Sequence, residues 1–370
     1  MQKLLTIVVP SYNAEKYLRY NLDSLCLEEI LDVLEVIVVD DGSRDSTGNI
    51  IDEYAKRFPG TVIPVHKENG GHGSGINAGI RCATGVYFRV IDADDWADAE
   101  DLKNLVFYIK AVHQGDKNDF EEMKVVDHSS NAKKSAASSE YHDKKESTEN
   151  YPDIIAGGFY WVYGHDETAA KKVEFEKPFE DVEYGRIYSF DDVAEKIYIK
   201  MHSMTIRTEI LKQHDIRMDE KRYYVDNEYI LYPIPYVKNI VFLDDHLYRY
   251  SISREGQSMS PQQMKKNKDQ YDGVLESLYK FYESVLNDKD VSAEKRLYIE
   301  HLISRVYAGR IKILLWDKVS PKTRSELIAL EEKLRKNYPG IYRANLNKAI
   351  KLFRMSRYML YYPAAVIRQL

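Results

Sequence analysis

The run Asp92-Ala93-Asp94-Asp95 sets three carboxylates close together, directly after the apolar stretch Val86-Tyr87-Phe88-Arg89-Val90-Ile91. Crowded carboxylates raise each other's pKa unless a cation neutralises them. An Asp-x-Asp pair suits a hard divalent ion that keeps water and phosphate oxygens in its shell. A structural reading stands beside it, because Asp94 or Asp98 can cap the helix that follows. Upstream, Glu68-Asn69-Gly70-Gly71-His72-Gly73-Ser74-Gly75 places glycines before a helix start, where amide donors favour phosphate. The stretch does not fit GxGxxG, which excludes a dinucleotide fingerprint. His72 is either a phosphate or substrate contact or a plain loop histidine.

These residues need strands to deliver them. Residues 4–9, 36–39, 62–65 and 86–91 read as short apolar or β-branched strands. Between them, residues 14–33, 46–58 and 74–82 carry helical spacing. Apolar strands separated by helices indicate a parallel sheet covered on both faces. Right-handed crossovers then bring loops 10–13, 40–43 and 92–95 to one edge, a nucleotide-site geometry. In the first loop Tyr12 offers an aromatic face and Asn13 an amide able to read a base edge. Asp40 can accept from an imide N–H such as that of uracil, and Gly42-Ser43 lets backbone pass close to a ligand. Taken singly, residues 40–43 are an ordinary turn with a helix cap.

The chain has 370 residues and a net charge of −6, which is no footprint of a nucleic-acid binder. Cys26 and Cys82 lack CxxC spacing, against both a disulfide framework and a zinc site. Neither a signal peptide nor a membrane span is legible, so a cytoplasmic protein is expected.

Four ordered motifs then carry a resemblance: Ile7-Val8-Val9-Pro10-Ser11-Tyr12-Asn13-Ala14-Glu15, Val36-Ile37-Val38-Val39-Asp40-Asp41-Gly42-Ser43, Asn69 with Asn77-Ala78-Gly79, and Asp92-Ala93-Asp94-Asp95-Trp96. Together they closely resemble the family 2 glycosyltransferases. The resemblance implies an α/β GT-A fold, a nucleotide-sugar donor, a divalent metal (Mn2+ or Mg2+) and an inverting transfer. It implies donor contacts from Pro10, Tyr12, Asn13, Asp40, His72, Asn77 and Asp92, with Asp94 as the direct metal ligand and Asp92 beside it. Where many members have Arg before the Asn of the third motif, this chain has Ile76, which leaves His72 as a candidate diphosphate contact.

An inverting transfer needs a carboxylate to remove the acceptor hydroxyl's proton. In Tyr223-Tyr224-Val225-Asp226-Asn227-Glu228-Tyr229 the resemblance favours Asp226 as that base, with Glu228 as competitor and helix-start acids as the structural alternative. Arg254, Gln257 and Ser258 resemble a segment that closes over the diphosphate, and His202 and Arg207 are weaker candidates for the acceptor side. The expected layout is a donor half at residues 1–115, a polar insertion at 116–150, an acceptor half at 151–260 and a helical C-terminal extension at 261–370. After Glu332 there is no acid, while Lys336, Arg343, Lys348, Lys351, Arg354, Arg357 and Arg368 accompany Leu352, Phe353, Tyr358 and Leu360. That mixture suits an interfacial helix on anionic lipid at the inner face of the cell membrane. Packing on the domain or in a homo-oligomer is the alternative. The expected activity is transfer of a hexosyl or N-acetylhexosaminyl group, with UDP-sugar as donor and a glycan, glycolipid or glycoprotein as acceptor. A sugar nucleotidyltransferase and a non-catalytic glycosyltransferase-like partner protein are the rivals.

Overall fold

A computed structural model of the chain describes residues 2–114, 151–163, 173–176, 179, 181–252, 260–317 and 319–369. The expected insertion 116–150 lies outside them. Strands β1 (Leu5–Ser11), β2 (Leu34–Asp40), β3 (Val62–His66) and β4 (Tyr87–Val90) alternate with helices α1 (Leu18–Leu25), α2 (Thr47–Arg57) and α3 (His72–Cys82). They pair in parallel in the order β3-β2-β1-β4. After β5 (Trp96–Ala97) and helix α4 (Ala99–Gln114) come β6 (Ile154–Ala156), β7 (Phe159–Tyr163), β8 (Val173–Glu176) and β9 (Ile187–Ser189). Strands β10 (Met204–Arg207), β11 (Asn239–Phe242) and β12 (Tyr248–Ile252) complete the set. The main sheet runs on from β4 through β10, β6, β11 and β9, with β10 antiparallel to both its neighbours. A second sheet has the order β5-β12-β7-β8.

Alternation along the buried strands builds two cores. Ile7, Val9, Val36 and Val38 face the layer made by α1, α2 and α4. Val8, Ile37, Val39 and Phe88 face the opposite way, into a core shared with Leu278, Leu302 and Leu334 of the C-terminal helices. The C-terminal helices therefore close the sheet's second face. Two of them, Ala293–Trp316 and Pro321–Asn337, begin at serine caps, where Ser292 accepts from Lys295 N and Ser320 from Thr323 N.

One expected element is divided. The helix read over residues 14–33 stops at Leu25, and a short 3-10 turn, Glu28–Ile30, follows. Val33 cannot be helical, because its carbonyl accepts Leu4 N at 2.7 Å where β1 begins.

The strand order reverses between β1 and β4, and ligands of such sheets bind at that crevice, beyond the carboxyl ends. Ser11 lies opposite Asp40, and Val8 opposite Val90, so loops 10–13, 40–43 and 92–95 emerge side by side. Helix α3 lies directly over β1 because Gly79 has no side chain; a Cβ there would come within 2.4 Å of Val8. From α3, Asn77 Nδ2 donates to Met218 O at 2.8 Å and Met218 N donates to Asn77 Oδ1 at 2.9 Å. Both ends of this buried amide are used, so Asn77 ties α3 to segment 216–219. Asn77→Ala should lower the unfolding free energy by about 2 kcal/mol or more, the scale for two buried backbone groups left without partners. Urea unfolding measures this, and UDP affinity should be kept. Unchanged stability with lost UDP binding would instead make Asn77 a ligand contact.

Candidate active site

At the end of β4, ligand oxygens of Asp92, Asp94 and Asp95 lie within 4.8 Å of one another. The three have different surroundings. Asp95 is buried, accepting Tyr248 OH at 2.6 Å and Ser251 N at 2.8 Å, both from β12. Burial, reinforced by Asp92, pushes its pKa well above the carboxylate range. Asp95 thus props the site from beneath, while Asp92 and Asp94 are partly exposed. Asn21 of α1 donates to the carbonyls of Asp92 at 3.1 Å and Asp95 at 2.8 Å, fixing the turn. Two partly exposed carboxylates on a pinned turn are a hard-oxygen donor set that fits Mg2+ or Mn2+.

His72, the first residue of α3, brings Nε2 to 2.7 Å from Asp92 Oδ1. Burial opposes charge on this imidazole, but Asp92, Asp226 and Asp41 outweigh it and raise its pKa. The glycine-rich loop before α3 differs from its expected use. Gly70 N and Gly71 N donate to the Asp41 carboxylate at 2.9 and 2.7 Å, and Lys67 Nζ reaches the same group at 2.7 Å. Two amides read as phosphate donors are therefore already taken by an internal anion.

Asp226 opens the short helix Asp226–Leu231 and is partly exposed. Its pKa is raised by burial and by Asp92, with His72 acting the other way. Asp226 is thus near enough to His72 and Asp92 for their charges to act on it. Glu228, the competing candidate, is wholly buried and accepts Asp219 N at 2.6 Å. It holds the backbone at Asp219.

Among the remaining candidates, Pro10 is buried beneath α3, where a Cβ on Gly75 would approach it to 2.9 Å. Tyr12 is exposed. Asn13 stitches two loops together, with Asn13 N donating to Ser43 Oγ at 3.0 Å and Arg44 N donating to Asn13 Oδ1 at 2.8 Å. Asp40 is nearly buried, accepts Ser43 N at 2.9 Å and lies 3.3 Å from His66 Nδ1. Arg207, at the end of β10, pairs with Asp153 at 3.4 Å, just before β6. Arg254, Gln257 and Ser258 lie outside the described residues.

His202, a weaker candidate in the sequence, belongs to an aromatic wall whose other members were not singled out there. His202 packs on Tyr250 and Tyr248 at 4.5 and 4.7 Å between ring centroids, and Trp161 on Tyr250 at 4.9 Å. Lys200 Nζ stands 5.3 Å from the Trp161 ring centre. Tyr248 of this wall donates its hydroxyl to Asp95 at 2.6 Å, so the wall borders the acids. Only the alternation of Tyr248 and Tyr250 along one strand hints at it in sequence.

Residues 6–116 match the model described as Glycosyl transferase family 2. Over 105 residues the chain is 38% identical to the uncharacterized glycosyltransferase EpsJ of Bacillus subtilis, covering 28% of this chain and 30% of that one. Over 109 residues it is 33% identical to the poly(ribitol-phosphate) beta-N-acetylglucosaminyltransferase TarS of Staphylococcus aureus, covering 29% of this chain and 19% of that one. The matched stretch thus spans less than a third of either relative's length. Among solved structures, S. aureus TarS 1-349 in complex with UDP-GlcNAc is similar, with a TM-score of 0.65 and 19% identity over 98% of this chain and 90% of that one. Residues 6–116 are thus similar to family 2 glycosyltransferases, and the fold is the α/β GT-A architecture with a helical C-terminal region.

Burial raises the Glu228 carboxyl from 4.5 to about 8. A group raised on folding contributes stability that is present below its unfolded pKa and lost as pH rises through the folded one. Glu228→Gln should therefore reduce the fall in stability between pH 4.5 and about 8, and raise the melting temperature at the upper end. Thermal unfolding across that range checks it. A variant whose pH profile follows the parent's would show that Glu228 is not the group responsible.

Proposed function

We propose that this chain is an inverting glycosyltransferase that moves a sugar from a UDP-sugar to a carbohydrate acceptor in surface polysaccharide, teichoic acid or protein-glycan synthesis. The observation that carries the reading is the cluster of Asp92 and Asp94 at the sheet's switch point with His72 on Asp92, near enough to Asp226 for charge to act between them. The family match over residues 6–116 and the UDP-GlcNAc bound by the structurally similar TarS support it.

In this reading Asp92 and Asp94 hold a divalent ion, which when bound neutralises charge on the departing diphosphate. His72 orients Asp92 through their hydrogen bond. Tyr12 stacks on the base, and Asp40 accepts from its imide. The acceptor hydroxyl attacks the anomeric carbon in line, from the face opposite the nucleotide, and Asp226 takes its proton. A carboxylate pKa raised by burial makes Asp226 a stronger base than an exposed one. Trp161 and Tyr250 offer flat apolar faces to sugar rings. We place the reaction in the cytoplasm, where thiols such as Cys26 and Cys82 stay free.

UDP should bind weakly without divalent ion and more tightly with Mn2+, and Asp94→Ala should abolish the gain. Calorimetric titration with and without Mn2+ tests this; equal affinities would sink the metal assignment. Asp226→Asn should keep UDP binding but lower transfer by about a hundredfold or more, the scale for a lost general base. UDP release from a panel of UDP-sugars with added saccharide acceptors provides the assay. An active Asp226→Asn beside a crippled Glu228→Gln would reverse the assignment.

A further inference from the structure

Seven of the thirteen large apolar side chains exposed among the described residues fall between Leu346 and Val366. Leu346 lies just before the helix Lys348–Met355, and the other six lie on that helix, on the helix Tyr361–Gln369 and on the turn between them. The first helix has its inward stripe already occupied, with Ile350 and Phe353 buried in the main core. Tyr361 and Ala365 do the same for the second. The turn is held by Arg324, which donates to the carbonyl of Tyr358 at 3.1 Å, and Arg354 is paired with Glu331 at 2.6 Å. These helices are thus packed on the domain, and the sequence expectation that Phe353 faces lipid is corrected, because it is buried.

The outward stripe is the unusual one. Lys348, Lys351, Leu352 and Met355 repeat at i, i+3, i+4 and i+7, all exposed, with Met355 at 80%. Met359, Leu360, Tyr362 and Val366 continue the apolar surface, and Arg343 and Arg357 are exposed beside it. No acid follows Glu332. Next to this face a cavity of about 740 Å3, bordered by Leu346 and Ala349, is lined by Lys196, Arg305 and Lys312 against Glu195 alone among acids.

We propose that this outward face docks on an anionic lipid bilayer, with Leu352, Met355, Met359 and Leu360 entering beneath the headgroups and Lys348, Lys351 and Arg357 at headgroup level. Charge selects this occupant over a second copy of the chain. A two-fold contact would set the patch against itself and bring like cations face to face, with no acid from the segment after Glu332 to pair them. An anionic headgroup layer supplies the missing charge, and exposed apolar side chains flanked by lysine and arginine are what interfacial binding uses. The proposal concerns where the chain sits and does not depend on the glycosyltransferase reading.

The test is co-sedimentation of the full chain with phosphatidylcholine vesicles, with and without phosphatidylglycerol. The parent should bind the phosphatidylglycerol vesicles, and a Lys348→Glu, Lys351→Glu pair should bind at least about tenfold more weakly. A Leu352→Gln, Met355→Gln pair should lose the fraction of binding that survives high salt in the parent. Circular dichroism and unchanged melting confirm that these exposed substitutions leave the fold intact. No vesicle binding by the parent, or binding equal in all variants, overturns the proposal. So does a dimer in lipid-free solution that the Gln pair dissolves, which would make the face a subunit contact.

Discussion

Repulsion among acids at the mouth of the crevice has to be offset before this fold can hold its candidate site. Asp92, Asp94 and Asp95 bring oxygens within 4.8 Å, and Asp226, on another element, is near enough to feel the charge of Asp92. Two unit charges about 4 Å apart repel by about 1 kcal/mol in bulk water and by several times that in partly buried surroundings. The groups that answer the repulsion come from far along the chain. His72 reaches Asp92 from the start of α3, Tyr248 and Ser251 reach Asp95 from β12, and Asn21 holds the turn's carbonyls from α1. A layer of secondary structure on each side of the sheet is therefore tied to one strand end.

The parallel half was legible because buried parallel strands are apolar at every position and stand out between amphipathic helices. The acid run after β4 was legible for the same reason, since a strand that ends in acid marks the sheet's carboxyl edge. The partners of those acids were not. Tyr248 lies 153 residues from Asp95, and nothing local in Tyr248-Arg249-Tyr250 signals that one hydroxyl caps a buried carboxylate. The glycine run before α3 misled for a related reason. Glycines that let a helix approach a strand look the same in sequence as glycines that bare amides to phosphate. Only the contact of Asp41 with Gly70 and Gly71 separates the two.

The C-terminal helices show where periodicity has less reach. Spacing of Leu275, Leu278 and Tyr282 announces a helix but not its neighbour, which proves to be the same core that backs β1 and β4. Near the end of the chain basic and apolar residues are interleaved, and composition alone cannot say which apolar residue turns inward. Phe353 and Leu352 are adjacent in sequence, yet one is buried and the other half exposed.

The main sheet passes without a break from β4 into β10, and Arg89 rivets that seam by donating to Thr205 Oγ1 at 2.8 Å and to the carbonyl of His202. Enzymes that swallow their substrates by swinging two lobes together need a hinge, a few residues able to absorb large backbone rotations between separately packed bodies. Here the two ends of the sheet share hydrogen-bonded strands and the apolar cores on both faces, so such a swing would have to tear a ladder and open those cores. Whatever closes on a ligand in this molecule must be loops and side chains moving over a frame that stays rigid.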